Sequence, residues 1–469
     1  MKIYFMGICG TAMGNVAVML KRANHEIIGA DTGVYDPMKS VLEKESIKYY
    51  DSYDVERLKS LKPDLVVIGN AMSRGNPEVE YLLASRKINF MSLAELVGTK
   101  VIDKRKCLVV SGTHGKTSTS CMASVLLKSL YKDTGWLIGG VPRDLASGSN
   151  FGESNSPFVI EGDEYDTAFF DKRSKFIHYR PYVLLINNIE FDHGDIFRDL
   201  EDVKRTFTHV RRIVSGQGAI VENADDANIA SLEIPKWVKR LTVGLNENAF
   251  LRIKNFTQNG ETSSFELHCQ GKMKKFSWEL PALYNARNAA MAIMGCSVIA
   301  GLENPLDLDF SHLENFQGVQ RRQEIICDTE KVVVVEDFGH HPTAIAGTIE
   351  ALKLKYRTRK VIACFEPRSN TAKTNVFEKD FANALNNADK IYLGAIFNVE
   401  KIEESKRLNP LRMKEICKDK LQYFDSNEDL LNALLKNTKD SEENLCVIFF
   451  SNGSFDRIHK RYAEECSKA

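Results

Sequence analysis

The chain has 469 residues, of which 63 are basic and 63 acidic, so its formal net charge is zero. That length exceeds what one hydrophobic core organises and predicts about three domains. The balanced charge argues against nucleic acid or a membrane surface as partner, so any anionic ligand has to be bound locally. The ten cysteines are scattered without a Cys-x-x-Cys pair. They predict reduced, buried thiols in a cytoplasmic protein, with neither a zinc site nor a disulfide framework.

The chain begins with a predicted strand, glycine turn and helix. Residues 2–6 are apolar, the turn spans residues 7–14, and the next strand ends at Asp31. This order is typical of a mononucleotide-binding βαβ unit. Cys9 and Ala12 stand where a dinucleotide fingerprint requires glycine, which counts against an NAD-dependent oxidoreductase. A nucleotide diphosphate at the turn, or no ligand there, both remain open.

A further buried strand, residues 63–69, precedes the polar loop of residues 70–77. Loops at the carboxyl ends of parallel strands commonly carry ligands. We expect a Rossmann-like first domain over residues 1–98. No segment reaches the 18 or so apolar residues of a membrane span.

The stretch Ser111–Ser118 reads Ser-Gly-Thr-His-Gly-Lys-Thr-Ser, between an apolar strand and a helical pattern. Glycine N–H groups and a helix N-terminus cradle phosphate, while Lys116 can reach the outer phosphates and Thr117 can bind Mg²⁺. A full Walker A motif has glycine where Val110 stands here. An ordinary βα turn with a surface lysine is therefore the alternative.

Two acidic segments follow predicted buried strands in the central domain, at residues 161–164 and 187–193. Strand ends of a doubly wound sheet meet at one edge, so Thr117, Glu161 and His193 are expected to converge on metal beside a triphosphate. A carboxylate suits Mg²⁺ well, whereas histidine is a softer ligand. A hydrogen-bonded loop histidine is the competing interpretation of His193.

The central domain is predicted over residues 99–318, and a third, Rossmann-like domain over 319–469 contains four buried strands separated by helical stretches. Asn288 lies near the start of a small-residue helix, where capping alone would explain it. Two loops of the third domain are conspicuous, at residues 336–342 and 366–370. The adjacent His340 and His341 have no partners at ligand spacing and predict no metal site.

Taken together, these motifs resemble those of the Mur ligases, the ATP-dependent amide-forming family of bacterial cell-wall synthesis. The similarity spans all three domains and rests on six motifs in order: Gly-Thr-His-Gly-Lys-Thr (112–117), Glu-Gly-Asp-Glu (161–164), Asn187 to His193, Tyr-Asn-x-x-Asn (284–288), Phe-Gln-Gly-Val-Gln-Arg-Arg (316–322) and Asp-Phe-Gly-His-His-Pro (337–342). Some family members carry a carbamylated lysine about fifteen residues after the metal-binding histidine. Thr208 occupies that position here, as in the branches that use UDP-N-acetylmuramate.

The resemblance implies an α/β fold of three domains: an N-terminal Rossmann-like domain, a central P-loop ATPase domain with a mainly parallel sheet, and a C-terminal Rossmann-like domain. Within the family, four segments resemble the branch that joins L-alanyl-γ-D-glutamyl-meso-diaminopimelate, the murein tripeptide, to UDP-N-acetylmuramate in peptidoglycan recycling. These segments are residues 7–14, 69–78, 164–176 and 365–371. The implied reaction passes through an acyl phosphate and uses ATP with Mg²⁺ or Mn²⁺.

The roles implied by the resemblance are as follows. UDP-sugar contacts are implied for Gly7, Gly10, Thr11, Gly14, Asp31, Asn70 and Ser73. ATP contacts are implied for Gly112, Thr113, His114, Gly115, Lys116, Thr117, Asn288, Arg321 and Asp337. Catalytic roles fall to Lys116, Glu161 and His193, metal ligation to Thr117, Glu161 and His193, and peptide binding to Arg368, Ser369 and Asn370.

Three alternatives accompany this interpretation. A ligase of the same family could use free L-alanine in place of the tripeptide. An NAD-dependent oxidoreductase is the remote alternative from another class, and a nucleotide-gated binding protein is the third. Oligomeric state, the third residue of the peptide and the base that takes the amine proton all remain open.

Overall fold

Three large sheets divide the described part of the chain, and each consists mainly of parallel strands. The computed structural model describes residues 1–36 and 38–468. Helices cover the sheets in the manner expected of right-handed βαβ crossovers. The predicted α/β architecture of three units is therefore observed.

The first sheet is entirely parallel, with strand order β3-β2-β1-β4-β5. Its strands are β1 (Lys2–Met6), β2 (Glu26–Ala30), β3 (Lys48–Tyr50), β4 (Leu65–Ile68) and β5 (Phe90–Ser92). Its helices are α1 (Thr11–Arg22), α2 (Met38–Lys44), α3 (Val55–Leu61), α4 (Pro77–Ser85) and α5 (Leu93–Leu96). The strand order reverses at β1, so the loops after β1 and β4 border the crevice where such sheets bind ligands.

Local sequence signals determine where several of these helices begin. Asn76 caps α4 by accepting hydrogen bonds from the N–H groups of Glu78 and Val79, and Pro77 takes the first helical position. Both features satisfy or remove N–H groups that the first helical turn would leave unpaired. The loop after β4 consequently ends at a well-defined helix start.

The central sheet has ten strands in the order β17-β16-β15-β14-β13-β12-β6-β9-β7-β8, and β10-β11 form a separate hairpin. The strands are β6 (Cys107–Ser111), β7 (Gly135–Leu137), β8 (Ser149–Asn150), β9 (Phe158–Gly162), β10 (Asp166–Ala168), β11 (Asp171–Ser174), β12 (Val183–Ile186), β13 (Ala219–Asn223), β14 (Lys239–Gly244), β15 (Leu251–Asn259), β16 (Thr262–Cys269) and β17 (Lys272–Trp278). The helices are α6 (Lys116–Leu130), α7 (Leu200–Arg212), α8 (Ala227–Ala230) and α9 (Leu283–Ile299). Because β6 lies between β9 and β12 in parallel register, the loops that follow these three strands meet at one edge.

The third sheet has the order β18-β19-β23-β20-β21-β22, antiparallel only between β18 and β19. Its strands are β18 (Glu324–Asp328), β19 (Val332–Asp337), β20 (Lys360–Phe365), β21 (Lys390–Leu393), β22 (Leu421–Tyr423) and β23 (Leu445–Phe450). Its helices are α10 (Pro342–Lys355), α11 (Glu378–Leu385), α12 (Pro410–Cys417), α13 (Asn427–Asp440) and α14 (Ile458–Lys468). The four predicted buried strands correspond to β19, β20, β21 and β23, while β18 and β22 were not predicted.

The predicted domain boundaries fall outside the sheets. Residue 98 lies within the short helical segment Val97–Ile102, and residue 318 lies in the loop between α9 and β18. Both boundaries remain predictions.

All ten cysteines are buried and unbridged within the described residues, as expected. None of the helices in that part of the chain combines the length and apolar character that a membrane crossing requires.

Candidate active site

The phosphate loop connects β6 to α6 and contains two glycines in the left-handed region. Gly112 has φ +127° and Gly115 has φ +78°, which side chains other than glycine rarely adopt. A Cβ on Gly115 would also lie 2.7 Å from Oδ1 of Asn288 on α9. The loop therefore approaches Asn288 closely, and Asn288 is one of the residues for which an ATP contact is implied.

Lys116 opens α6 and points back across the loop. Its Nζ donates hydrogen bonds to the Gly112 carbonyl at 2.8 Å and to the two oxygens of Glu164 at 2.9 and 3.2 Å. Burial by itself lowers the pKa of Lys116, but the negative charges of Glu164 and Asp163 outweigh it, and the net shift is upward. The lysine is thus held charged beside the place where phosphates would bind.

Thr117, at the start of α6, and Glu161, at the end of β9, form a pair of oxygen ligands. The Thr117 hydroxyl donates to Oε2 of Glu161 at 3.1 Å, and Oε1 of Glu161 accepts the Gly139 N–H at 2.7 Å. Burial raises the pKa of Glu161. A hydroxyl beside a carboxylate is a donor set that fits Mg²⁺.

His193 lies in the loop after β12 with φ +54°, and its Nε2 is 3.6 Å from Oε1 of Glu164. Asp163, Glu164 and His193 place one ligand atom each within 4.8 Å of one another. Burial lowers the pKa of His193, but Glu164 and Asp192 more than compensate, and the pKa is raised. The predicted metal residues are therefore divided between two groups: Thr117 pairs with Glu161, whereas His193 lies beside Glu164, which was not predicted.

The loop after β12 supports the phosphate loop through backbone and side-chain hydrogen bonds. The Thr113 hydroxyl donates to the Glu190 carbonyl at 3.2 Å and accepts the Glu190 N–H at 2.9 Å. The His114 N–H donates to Oδ1 of Asn188 at 2.7 Å. These bonds hold the phosphate loop in one conformation.

Arg321 and Asp337 lie at the start of the third unit. Arg321 donates to Glu336 at 2.6 Å and to the Ser451 carbonyl at 2.9 Å, while Asp337 accepts the N–H groups of Gln323 and Gly339. Arg322, which was not predicted, places Nη2 3.4 Å from the Thr117 hydroxyl. The implied roles of Arg321 and Asp337 at the nucleotide stay predictions.

The implied UDP-sugar residues surround the crevice of the first sheet. Asp31 accepts the N–H groups of Cys9 and Gly33, both at 2.9 Å, and so fixes the turn after β1. Gly7 has φ +86°, and a Cβ on Gly14 would lie 2.1 Å from the Met38 sulfur. The glycines at these two positions are therefore required by the fold itself.

The exposed side of this crevice is formed by two loops. Gly10 and Thr11 are exposed at the start of α1, which has no side-chain cap. Ser73 is exposed in the loop after β4, where Asn70 donates to the Asp166 carbonyl at 3.2 Å. The last contact ties the first unit to the central one.

The loop after β20 lies opposite His193. Asn370 donates to Asp195 at 2.9 Å, and Arg368 stacks its guanidinium 3.8 Å from the ring centroid of Phe397. The Ser369 hydroxyl accepts the Ala372 N–H at 3.0 Å. A cavity of about 360 Å³ is lined by His193, Arg368, Ser369 and Asn370, so the structure brings the predicted peptide residues and His193 together.

Each of the three units described above matches a domain of a known protein family. Residues 2–104 match the domain described as "Mur ligase family, catalytic domain", residues 110–296 match "Mur ligase middle domain", and residues 321–453 match "Mur ligase, glutamate ligase domain". The UDP-N-acetylmuramate–L-alanyl-γ-D-glutamyl-meso-2,6-diaminoheptandioate ligase of Escherichia coli K12 is 38% identical over 100% of this chain and 99% of that relative. The chain belongs to the Mur ligase family.

Two further relatives come from two different branches of the Mur ligases. A crystal structure of a murein peptide ligase from Psychrobacter arcticus superposes with a TM-score of 0.72 at 29% identity, covering 100% of this chain and 99% of that one. The UDP-N-acetylmuramate–L-alanine ligase of Streptococcus pyogenes serotype M28 is 32% identical over 84% of this chain and 83% of that relative. The predicted family, ligase class and three-domain α/β fold are thereby confirmed, and the oxidoreductase alternative is set aside.

Several residues of this Mur ligase site were not among the predicted site residues. Glu164 was noted in the acidic segment after β9 but was given no role, although it contacts both Lys116 and His193. Its position at a strand end beside Glu161 was the available signal. Tyr165 donates to Asp195 at 2.6 Å in the cavity that His193 and Arg368 line, and this pairing joins two loops that the sequence does not relate.

Proposed function

We propose that this Mur ligase joins the murein tripeptide L-alanyl-γ-D-glutamyl-meso-diaminopimelate to UDP-N-acetylmuramate, with ATP as the second substrate. The similarity to the Escherichia coli tripeptide ligase carries the proposal, because it extends over the full length at 38% identity. The alanine ligase of Streptococcus pyogenes is 32% identical over 84% of the chain. The reaction belongs to peptidoglycan recycling. A cytoplasmic site of action is part of the proposal, since reduced thiols fit the ten unbridged cysteines of the described residues.

The chemistry proceeds in two transfers. The lactyl carboxylate of UDP-N-acetylmuramate attacks the γ-phosphorus of ATP, the bond to the β-γ bridging oxygen breaks, and ADP leaves. The free α-amine of the peptide then attacks the carbonyl carbon of the acyl phosphate, and phosphate departs with the C–O electron pair as the amine loses a proton. Because a carboxylate is a poor electrophile, activation and neutralisation of the gathered negative charge are the main tasks.

The central domain provides this charge neutralisation in the proposal. Lys116 is fixed as a cation at the loop, and α6 begins at the same residue, so the positive end of the helix adds to this charge. Thr117, Glu161 and His193 would hold divalent metal, Mg²⁺ or Mn²⁺, which supplies further neutralisation when bound. Asn288 lies beside Gly115 and would contact the nucleotide, as would Asp337.

The first domain would bind the UDP-sugar at the crevice beside β1. The uncapped N-terminus of α1 exposes Gly10 and Thr11 there, and helix N-termini with free N–H groups bind phosphate. Asn70 and Ser73 border the same crevice from the loop after β4. The diphosphate would lie over the turn that Asp31 stabilises.

The peptide would occupy the cavity between the central and third domains. Arg368, Asn370 and His193 all line this cavity, and a peptide bound there would bring its amine near the acyl group. Thr208 on α7 donates to the Lys204 carbonyl at 3.0 Å, so the usual position of a carbamylated lysine holds a hydroxyl already bonded to its own helix. That arrangement agrees with a branch that uses UDP-N-acetylmuramate.

The deciding experiment measures phosphate release from ATP with UDP-N-acetylmuramate and either acceptor, the tripeptide or free L-alanine. Release with the tripeptide and not with L-alanine is the expected result. Release with L-alanine alone would move the protein to the alanine-ligase branch. Release with neither acceptor would overturn the proposal as a whole.

A further inference from the structure

A second cluster of ligand-type side chains lies outside the catalytic groups, where the central and third domains meet. We call His114, Glu190 and His341 the His–Glu–His cluster. His114 comes from the phosphate loop, Glu190 from the loop after β12, and His341 caps the N-terminus of α10 in the third sheet. The residues are far apart in sequence, and the fold alone brings them together.

The spacing of these side chains is that of ligands around one ion. His114 Nε2 and His341 Nδ1 each lie 3.6 Å from the same oxygen, Oε2 of Glu190. A separation of 3.6 Å is too long for a hydrogen bond. Two ligands at about 2.1 Å from a tetrahedral ion are separated by about 3.4 Å, which is close to both distances.

Of the two inward-facing nitrogens, that of His114 has no hydrogen bond among the described residues and that of His341 accepts one long helix-capping bond. His114 Nε2 is buried and has no hydrogen-bond partner among the described residues. His341 directs its other ring nitrogen, Nε2, to the Phe191 carbonyl at 3.2 Å, and its Nδ1 has only a long contact of 3.4 Å from the Thr343 N–H. A backbone carbonyl on the far nitrogen is how proteins commonly orient a metal-bound histidine.

The charge states also suit a cation. Burial lowers the pKa of His341 to about 4, which favours the neutral ring. The Thr343 hydroxyl donates a hydrogen bond to Glu190 at 2.6 Å, which favours the carboxylate form. One carboxylate and neutral imidazole are the forms in which these side chains bind metal.

We propose that the His–Glu–His cluster binds one divalent transition-metal ion of the Zn²⁺ class. Two imidazoles and one carboxylate favour Zn²⁺ or Co²⁺ over Mg²⁺, which prefers oxygen ligands. A cavity of about 470 Å³, bordered by Glu190, His341 and Thr343, gives the ion access and leaves room for water as a fourth ligand. In this proposal His341 belongs to a metal site, which differs from the expectation from its sequence neighbours, because its partners are close in space and not in sequence.

Such an ion would connect two domains. His114 and Glu190 belong to the central domain and His341 to the third, so the ion would add ligand bonds to the contact already made by Thr343 with Glu190. An ion that binds only when all three ligands are together stabilises that arrangement by mass action. Metal binding at this cluster therefore favours the contact between the central and third domains.

The test uses full-length protein freed of metal with a chelator and then titrated with Co²⁺ in excess Mg²⁺. Bound Co²⁺ is counted by equilibrium dialysis, and its visible absorption reports tetrahedral against octahedral coordination. The titration is done in a His193→Ala background, which removes the histidine of the other ligand group. We expect the His193→Ala protein to bind one equivalent of Co²⁺ with the intense absorption of tetrahedral coordination. Adding His341→Ala or Glu190→Gln should weaken Co²⁺ binding by at least about 100-fold.

A matched control removes a histidine that is paired with glutamate elsewhere. His268 lies 2.8 Å from Glu266 on β16, and His268→Gln should leave Co²⁺ binding unchanged. Equal binding with and without His341→Ala would overturn the site, as would an octahedral spectrum. If both added variants fail to fold by circular dichroism, the stoichiometry of the His193→Ala protein decides, since no tight equivalent there would also overturn it.

Discussion

Lys116 donates hydrogen bonds to both carboxylate oxygens of Glu164, at 2.9 and 3.2 Å. The lysine expected to bind phosphate therefore already has a buried anionic partner, and Glu164 in turn lies 3.6 Å from His193. Glu164 links the phosphate loop to the second group of candidate metal ligands. Its charge opposes that of an incoming phosphate while it keeps Lys116 ionised and oriented.

Replacement of Lys116 by alanine should reduce turnover by about 10²-fold or more, because a preorganised contact to the transferred phosphoryl group is lost. The fold should persist, as judged by circular dichroism. Lys128→Ala, an exposed lysine later on the same helix, is the matched control. Near-normal ligation by the Lys116 variant would contradict the assignment of the loop.

Glu164→Gln should change nucleotide binding and turnover in opposite directions. Without the carboxylate, Lys116 is free to bind phosphate, so metal-free ATP should bind about 10-fold more tightly, the equivalent of one charged hydrogen bond. Turnover should fall, because the ligand group of His193 loses a carboxylate. Calorimetry with a chelator present and phosphate release with Mg²⁺ measure the two effects.

The control for that experiment is Asp163→Asn. It removes an equal charge from the same segment, but the Asp163 side chain is bound by Lys175 at 2.5 Å and the bond between Lys116 and Glu164 remains. We expect a smaller gain in metal-free ATP affinity. Weaker ATP binding by Glu164→Gln would show that Glu164 mainly positions Lys116.

The neighbouring arginines at the start of the third unit should have separable roles. Arg322 lies 3.4 Å from the Thr117 hydroxyl, so Arg322→Ala should raise the KM for ATP by about 10-fold, as expected for one lost charged contact. Arg321→Ala should instead lower the free energy of unfolding by about 2 kcal/mol, because Glu336 loses a close partner in a nearly buried position. Urea unfolding and ATP kinetics of both variants distinguish them. A larger KM effect from Arg321→Ala would support its implied contact with the nucleotide.

Arg368→Ala should weaken the use of the tripeptide more than the use of ATP. Its guanidinium lines the cavity opposite His193 and can form paired hydrogen bonds to a peptide carboxylate. The measurement is KM for each substrate with the other saturating. Arg412→Ala, an exposed arginine of the same domain, serves as the control. Equal losses for peptide and ATP would place Arg368 elsewhere.

Asp171 should make stability depend on pH in the acid range. Hydrogen bonds from Arg173 outweigh the effect of burial and lower its pKa from 3.8 to about 2. A carboxyl with a depressed pKa in the folded state stabilises the fold above pH 3.8, and this stabilisation is lost as the pH falls toward 2. We expect this ion pair to contribute about 1 kcal/mol to the free energy of unfolding, because Arg173 is exposed to solvent and water screens the pair.

The measurement compares urea unfolding of the wild type and Asp171→Asn from pH 6 to pH 3. The wild type should be more stable at pH 6, and the difference should shrink below pH 4. A difference that is constant over this range would show that Asp171 acts through packing and not through its charge.

Local patterns predicted many of the buried parallel strands, because each of these is a short apolar run next to a glycine or polar turn, but they missed others such as β13, β14 and β22. The phosphate loop and the strand ends at Glu161 and His193 were located correctly in this way. The antiparallel strands β15 to β17 were not predicted, although Gly260 and Gly271 mark the turns between them, because their alternating and partly exposed residues form no continuous apolar run. Antiparallel pairing exposes one sheet face, and the sequence signal is weaker there.

By itself, the sequence determined the fold class and the family, and it located candidate site residues at the strand ends. These follow from local order, because strand, loop and helix in succession place a loop at a known edge of a sheet. Only the tertiary structure decided which side chains meet. Glu164 lies between Lys116 and His193, Arg322 and not Arg321 reaches Thr117, and His341 joins His114 and Glu190. Such contacts depend on how separate loops and domains pack, and no local pattern encodes the distance between side chains on different loops of the chain.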